Sequence, residues 1–125
     1  MDRDAVEQWV NDYERLWRTA GTDGLAALFA PKAVYLPSPW APPVSGLAAI
    51  SRFWEAERDR PDEDFTMSSE VVAVDGDTAV VRVSVTYGDP ASGRWRDLWV
   101  LRFDAHGRCT AFEEWPFAPR QPDGH

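Results

Sequence analysis

Residues 94–117, RWRDLWVLRFDAHGRCTAFEEWPF, alternate in character with a period of two on both sides of a four-residue turn. This pattern predicts two antiparallel strands, 94–103 and 108–117, joined through DAHG at 104–107. On the first strand Trp95, Asp97, Trp99, Leu101 and Phe103 share one face, and Arg94, Arg96, Leu98, Val100 and Arg102 share the other. The ring-rich set reads as the enclosed one, with Asp97 as its odd member. On the second strand Cys109, Ala111, Glu113, Trp115 and Phe117 oppose Thr110, Phe112, Glu114 and Pro116. The neighbours Glu113 and Glu114 therefore point to opposite faces. Upstream, the same period runs through 65–75 and 78–88, with Asp75, Gly76 and Asp77 as a tight hairpin signal and GDPASG at 88–93 as a looser turn.

The first half of the chain has helical spacing instead. Over residues 4–18, Val6, Trp9, Val10, Tyr13, Leu16 and Trp17 form an apolar stripe opposite Glu7, Gln8, Asp12, Glu14 and Arg15. Gly21 ends that helix, Thr22 reads as the cap of a short second one, and Pro31 stops it. A short strand at 33–36 leads into PSPWAPP at 37–43, four of whose seven residues are proline, so a stiff extended loop is expected. A third helix is expected from Gly46 to about Asp59, with Leu47, Ile50, Phe53 and Trp54 as its stripe and a charged connector at 60–64 after it. Helices followed by an antiparallel meander define an α+β fold, with three N-terminal helices on the concave face of a curved sheet. Residues 1–118 form a single domain in this reading and 119–125 a flexible C-terminal tail.

Composition narrows the function classes. The chain has 125 residues, 13 basic against 21 acidic side chains, seven Trp and one Cys. A net charge of −8 argues against a nucleic-acid or anionic-membrane footprint. No apolar run reaches the length of a membrane span, and the acidic, amphipathic start MDRDAVEQWV does not read as a secretory signal, so a cytoplasmic location is expected. The lone Cys109 rules out a disulfide framework and, without a nearby His or helix N-terminus, reads as a buried apolar thiol. Two His and one Cys give no zinc or copper ligand cluster, and no phosphate-cradling glycine loop is present, so neither a metal nor another cofactor is expected.

The order helix, short helix, strand, proline loop, helix and four long strands resembles the SnoaL-like branch of the nuclear transport factor 2-like superfamily. LFAPKAVYLPSPW, VSGLAAISRFW, and the RFDAHGR turn followed by FEEW carry the resemblance, which spans roughly residues 5–118. It implies a cone-shaped α+β barrel, a homodimer formed through the outer sheet face, and a small-molecule cavity. The superfamily holds polyketide cyclases, ketosteroid isomerases, epoxide hydrolases, dehydratases and non-enzymatic binders, so the fold does not choose a function. Ketosteroid isomerases imply Tyr13 as an oxyanion supporter, but Ser38 and Trp99 stand where their two aspartates would fall, which argues against steroid isomerisation. Limonene-type epoxide hydrolases imply roles for Arg82 and Glu114, but Ser84 replaces one aspartate.

These matches turn Arg82, Ser84 and Thr86, together with Thr110, Phe112 and Glu114, inward. The expected cavity has Arg82, Asp97 and Glu114 as its catalytic polar groups and Tyr13, Leu36, Ser38, Trp40, Trp54, Ser84, Trp99 and Phe112 as ligand contacts. Trp40, flanked by prolines, is expected to cover a cavity mouth or a partner surface. In the leading hypothesis Glu114 is the proton shuttle of a cofactor-independent cyclase, isomerase, dehydratase or hydrolase acting on a compact apolar substrate. Arg82 would orient that substrate, with Asp97 and Tyr13 assisting. The alternative is a non-catalytic ligand-binding or dimerisation module in which Glu114 and Arg82 merely pair.

Overall fold

A computed structural model describes residues 1–58, 64–88 and 93–122. The expected connector at 60–64, the turn at 88–93 and the end of the tail fall largely or wholly outside these. Helix α1 (Arg3–Trp17) starts where the Asp2 carboxylate accepts from the Ala5 N–H at 2.8 Å, and it buries Val6, Trp9, Val10 and Tyr13. Helix α2 (Leu25–Leu28) is a single turn without a side-chain cap; its start is at Gly24, not at the expected Thr22. Strand β1 (Phe29–Leu36) begins four residues earlier than the periodicity suggested and passes through Pro31. The ladder slips between Phe29 and Val34, so the proline sits where its missing N–H costs no regular pairing. After the proline-rich segment, β2 (Val44–Ser45) pairs antiparallel with β1, an edge strand that proline content had hidden. Helix α3 (Leu47–Glu57) follows Gly46, whose φ of +89° suits glycine.

The remaining strands are β3 (Phe65–Asp75), β4 (Thr78–Tyr87), β5 (Arg94–Phe103) and β6 (Cys109–Phe117). The sheet order is β2-β1-β6-β5-β4-β3, antiparallel except for the parallel β1–β6 pair. The two ends of this six-stranded sheet, β2 and β3, are not bonded to each other, so it is an open sheet and meets the expected cone-shaped barrel only in part. Two residues are too few for β2 to carry the ladder round. The ladder is offset between Val71 and Ala73 and again between Arg102 and Phe103, irregularities that bend strands.

Helix α1 packs against β3 and α3 against β1, and the core between them is aromatic. Trp9 donates its indole N–H to the Leu28 carbonyl at 3.0 Å, tying α1 to α2. Arg58, directly after α3, is buried and donates to the carbonyls of Thr19 at 2.6 Å and Gly21 at 2.8 Å while pairing with Glu55 at 2.5 Å. It holds the α1–α2 turn against α3. Cys109 is fully buried, and that burial pushes its thiol up to about 12, as expected of an unreactive core residue.

Candidate active site

The β5–β6 hairpin builds the site. At its turn, Asp104 Oδ1 accepts from the backbone N–H of His106 at 2.8 Å and of Arg108 at 3.0 Å, and Gly107 takes a φ of +80°. Those bonds, the one from Arg108 first, hold the half-buried Asp104 carboxyl below the usual range. The closed turn and the offset after it fix the register: Trp99 lies opposite Glu114 and Asp97 opposite Pro116. Asp97 and Glu114 are thereby diagonal neighbours on the inner face, within reach of one another.

Their carboxyls are hydrogen-bonded to each other, and burial is the main force on both. Glu114 is raised well above the ordinary glutamate value by desolvation, then by its bond to Asp97 and by the Asp97 charge. Asp97 is raised by desolvation but lowered by the bond from Glu114. Two carboxyls this close do not both ionise readily, so the pair holds on to one proton as a unit. Tyr35 donates to Glu114 Oε1 at 3.1 Å, and the Tyr13 hydroxyl contacts that of Tyr35. One proton per hydroxyl orders the chain as Tyr13 to Tyr35 to Glu114 to Asp97. Burial holds both tyrosines well above their ordinary value, so they stay neutral donors.

The chain ends in unfinished bonding. Asp97 Oδ1 and Trp99 Nε1 are buried without a hydrogen bond of regular geometry, although the Trp99 indole N–H is near enough to lower both carboxyls. Both residues line a cavity of about 280 Å³, together with Tyr13, Tyr35 and Glu114. That volume is near the lower bound of ~300 Å³ for small-ligand sites. Among the described residues, no group of three or more His, Cys, Asp or Glu is placed to hold a metal ion.

The expected residues divide sharply. Tyr13, Asp97, Trp99 and Glu114 come together at the cavity. Phe112 and Trp54 are buried one layer behind: Phe112 stacks on Tyr35 with ring centroids 4.6 Å apart, and Trp54 sets its ring edgewise to Tyr13 at 4.9 Å. Arg82 and Ser84 are on the opposite face of β4, because Val81 and Val83 are the buried residues there. Arg82 pairs instead with Glu70 on β3 at 2.8 Å, both side chains more than half exposed. The expected meeting of Arg82 with Glu114 is therefore corrected: a second carboxyl, Asp97, takes the place of the guanidinium. Arg82→Ala should change stability by less than about 0.5 kcal/mol in thermal denaturation, since an exposed pair contributes little.

Leu36 pairs in register with Glu113 and so shares the outer face, leaving Tyr35 as the inward residue of β1. Tyr35 was missed, although alternation from the buried Ala33 points to it. Ser38 accepts from the Ala41 N–H in a turn and does not line the cavity, whereas its neighbour Pro37 does. Trp40 is 98% exposed and away from the cavity lining, so it does not cover the mouth. The proline-rich turn directs it into solvent.

Residues 6–112 match the SnoaL-like domain family, and the chain belongs to it. Among solved structures, a protein assigned as a polyketide cyclase from Sinorhizobium meliloti is 27% identical, with a TM-score of 0.68, covering 88% of this chain and 97% of that one. SalBIII, an epoxide hydrolase/cyclase-like enzyme of pyran ring formation in the polyether salinomycin, is 16% identical with a TM-score of 0.72, covering 93% of each chain. A CaMKII hub from S. rosetta is 19% identical with a TM-score of 0.66, covering 91% of this chain and 95% of that one. The fold is thus common to enzymes and to an assembly hub. No curated protein matches the sequence significantly. No described helix is long and apolar enough to cross a membrane.

Proposed function

We propose that this chain is a small-molecule acid/base enzyme whose working group is the Asp97–Glu114 pair. The observation that carries the reading is two neighbouring carboxyls, Asp97 buried and Glu114 half-buried, in the wall of a largely aromatic cavity. Such a pair supplies an acid and a base at once: Glu114 donates its proton to a substrate oxygen while the Asp97 carboxylate removes a proton from an adjacent carbon. Tyr35 and Tyr13 act as neutral donors that hold Glu114 in place. Enolisation is the simplest reaction of this type, and isomerisation, dehydration and cyclisation share its proton transfers. The test is deuterium exchange alpha to the carbonyl of 2-tetralone, followed by NMR with wild type and Glu114→Gln. Exchange no faster than in buffer, or equally fast in the variant, would sink this reading.

The reading includes a homodimer. Val34, Leu98, Trp115 and Phe117 are each more than a third exposed on the outer sheet face, an apolar surface of the kind a partner covers. Leu98 and Trp115 are directly opposed in the β5–β6 ladder. Light scattering on wild type should give twice the chain mass, and Trp115→Asp should give the monomer; a monomeric wild type refutes the dimer.

A further inference from the structure

The cavity wall has an uneven chemistry. Eight of its fifteen lining residues are aromatic and three are acidic, and Lys, Arg and His are absent from the described lining. Asp97 and Glu114 stand deep in it, and Glu57, at the end of α3, is exposed at the mouth. The lining rings meet at angles from 4° between Tyr13 and Trp17 to 55° between Tyr13 and Trp99. One of these rings already carries a cation: the Arg18 guanidinium carbon is 3.7 Å from the Phe65 centroid. Asp97 is 7% exposed, and its Oδ1 makes no hydrogen bond of regular geometry.

We propose that the cavity selects a protonated amine on a compact apolar body, its N–H directed to the Asp97 carboxyl and its charge set among the aromatic rings. This rests on the small-molecule reading above and names the ligand class. Ring faces attract cations, more strongly when the site is desolvated, and a buried carboxylate with bonding capacity left over accepts an ammonium hydrogen. An anionic ligand would meet three acidic side chains and no cationic side chain in the described lining, the Arg18 guanidinium being held on Phe65. A neutral alcohol could donate to Asp97 but gains nothing from the rings.

Benzylamine, benzyl alcohol and benzoate are matched in size and differ in charge, and each is titrated at neutral pH while the indole N–H resonances of Trp95 and Trp99 are followed. The ammonium form should bind about tenfold tighter than the alcohol, and benzoate should not bind. Asp97→Asn should erase the gap between amine and alcohol. Glu57→Gln, an exposed change at the mouth that leaves the core intact, should weaken benzylamine by about threefold at low salt and leave the alcohol unchanged. Equal or tighter binding of benzyl alcohol or benzoate overturns the ammonium proposal and leaves the small-molecule reading standing. Undisturbed indole resonances with all three overturn both.

Discussion

Glu114→Gln should lower the exchange rate of 2-tetralone by about 10²- to 10⁴-fold, the span that a positioned proton-transfer group supplies. Folding should survive, because a glutamine amide can still donate to Asp97 and its oxygen can still accept from Tyr35. The same variant separates chemistry from stability through pH. The folded-state Glu114 carboxyl is raised above its ordinary value, so the folded protein binds the proton more tightly than the unfolded chain. Its contribution to stability is complete below the ordinary glutamate range and is lost as pH rises through the raised folded value. Wild-type Tm should therefore fall across that window relative to Glu114→Gln, and the two curves should cross with the variant more stable on the alkaline side. Parallel curves would mean that Glu114 is ionised in the folded protein.

Trp54→Ala should cost about 3–5 kcal/mol, the loss expected for deleting a fully enclosed indole. Trp54 has no exposed surface and braces Tyr13 and Trp17 edgewise, at 4.9 and 4.8 Å. A void there would also loosen Tyr13 and hence the donor chain to Glu114. The comparison with Trp54→Phe is informative because the Trp54 indole N–H is itself buried without a partner. Phenylalanine removes that unsatisfied donor along with part of the ring, so its cost should be well below that of alanine. Denaturant titration of both variants measures this; equal losses would show that the indole N–H is not a penalty in the folded state.

Much of the fold was legible because strands and helices have different periods. The bounds of β5 follow directly from alternation, and the Asp-Gly pair locates the β3–β4 hairpin. Closed-barrel geometry was not legible, since closure depends on whether two distant edges meet. The site was half legible. Asp97 and Glu114 both stand out as acids among rings, but the family likeness drew Arg82 inward against the plain pattern of Val81 and Val83, which bury better than an arginine. Counting back from the DAHG turn as a simple hairpin would have set Asp97 opposite Glu114. The turn, which closes Asp104 on Arg108, and the irregularity between Arg102 and Phe103 each add one residue, and together they move the pair to a diagonal without separating it. Tyr35 lay inside the strand expected at 33–36 and was passed over because Leu36 was turned inward in its place.

The margins of the sheet limit how copies of this molecule can aggregate. One margin is the two-residue β2, and the other is β3, with exposed Thr66, Ser68, Ser69 and Glu70 and an irregular ladder beyond Val71. Short, polar or bent margins are poor templates for another strand, so end-on growth into fibrils is disfavoured. Contact through the flat greasy side, by contrast, is self-limiting: once two molecules cover each other about a twofold axis, nothing is left to recruit a third.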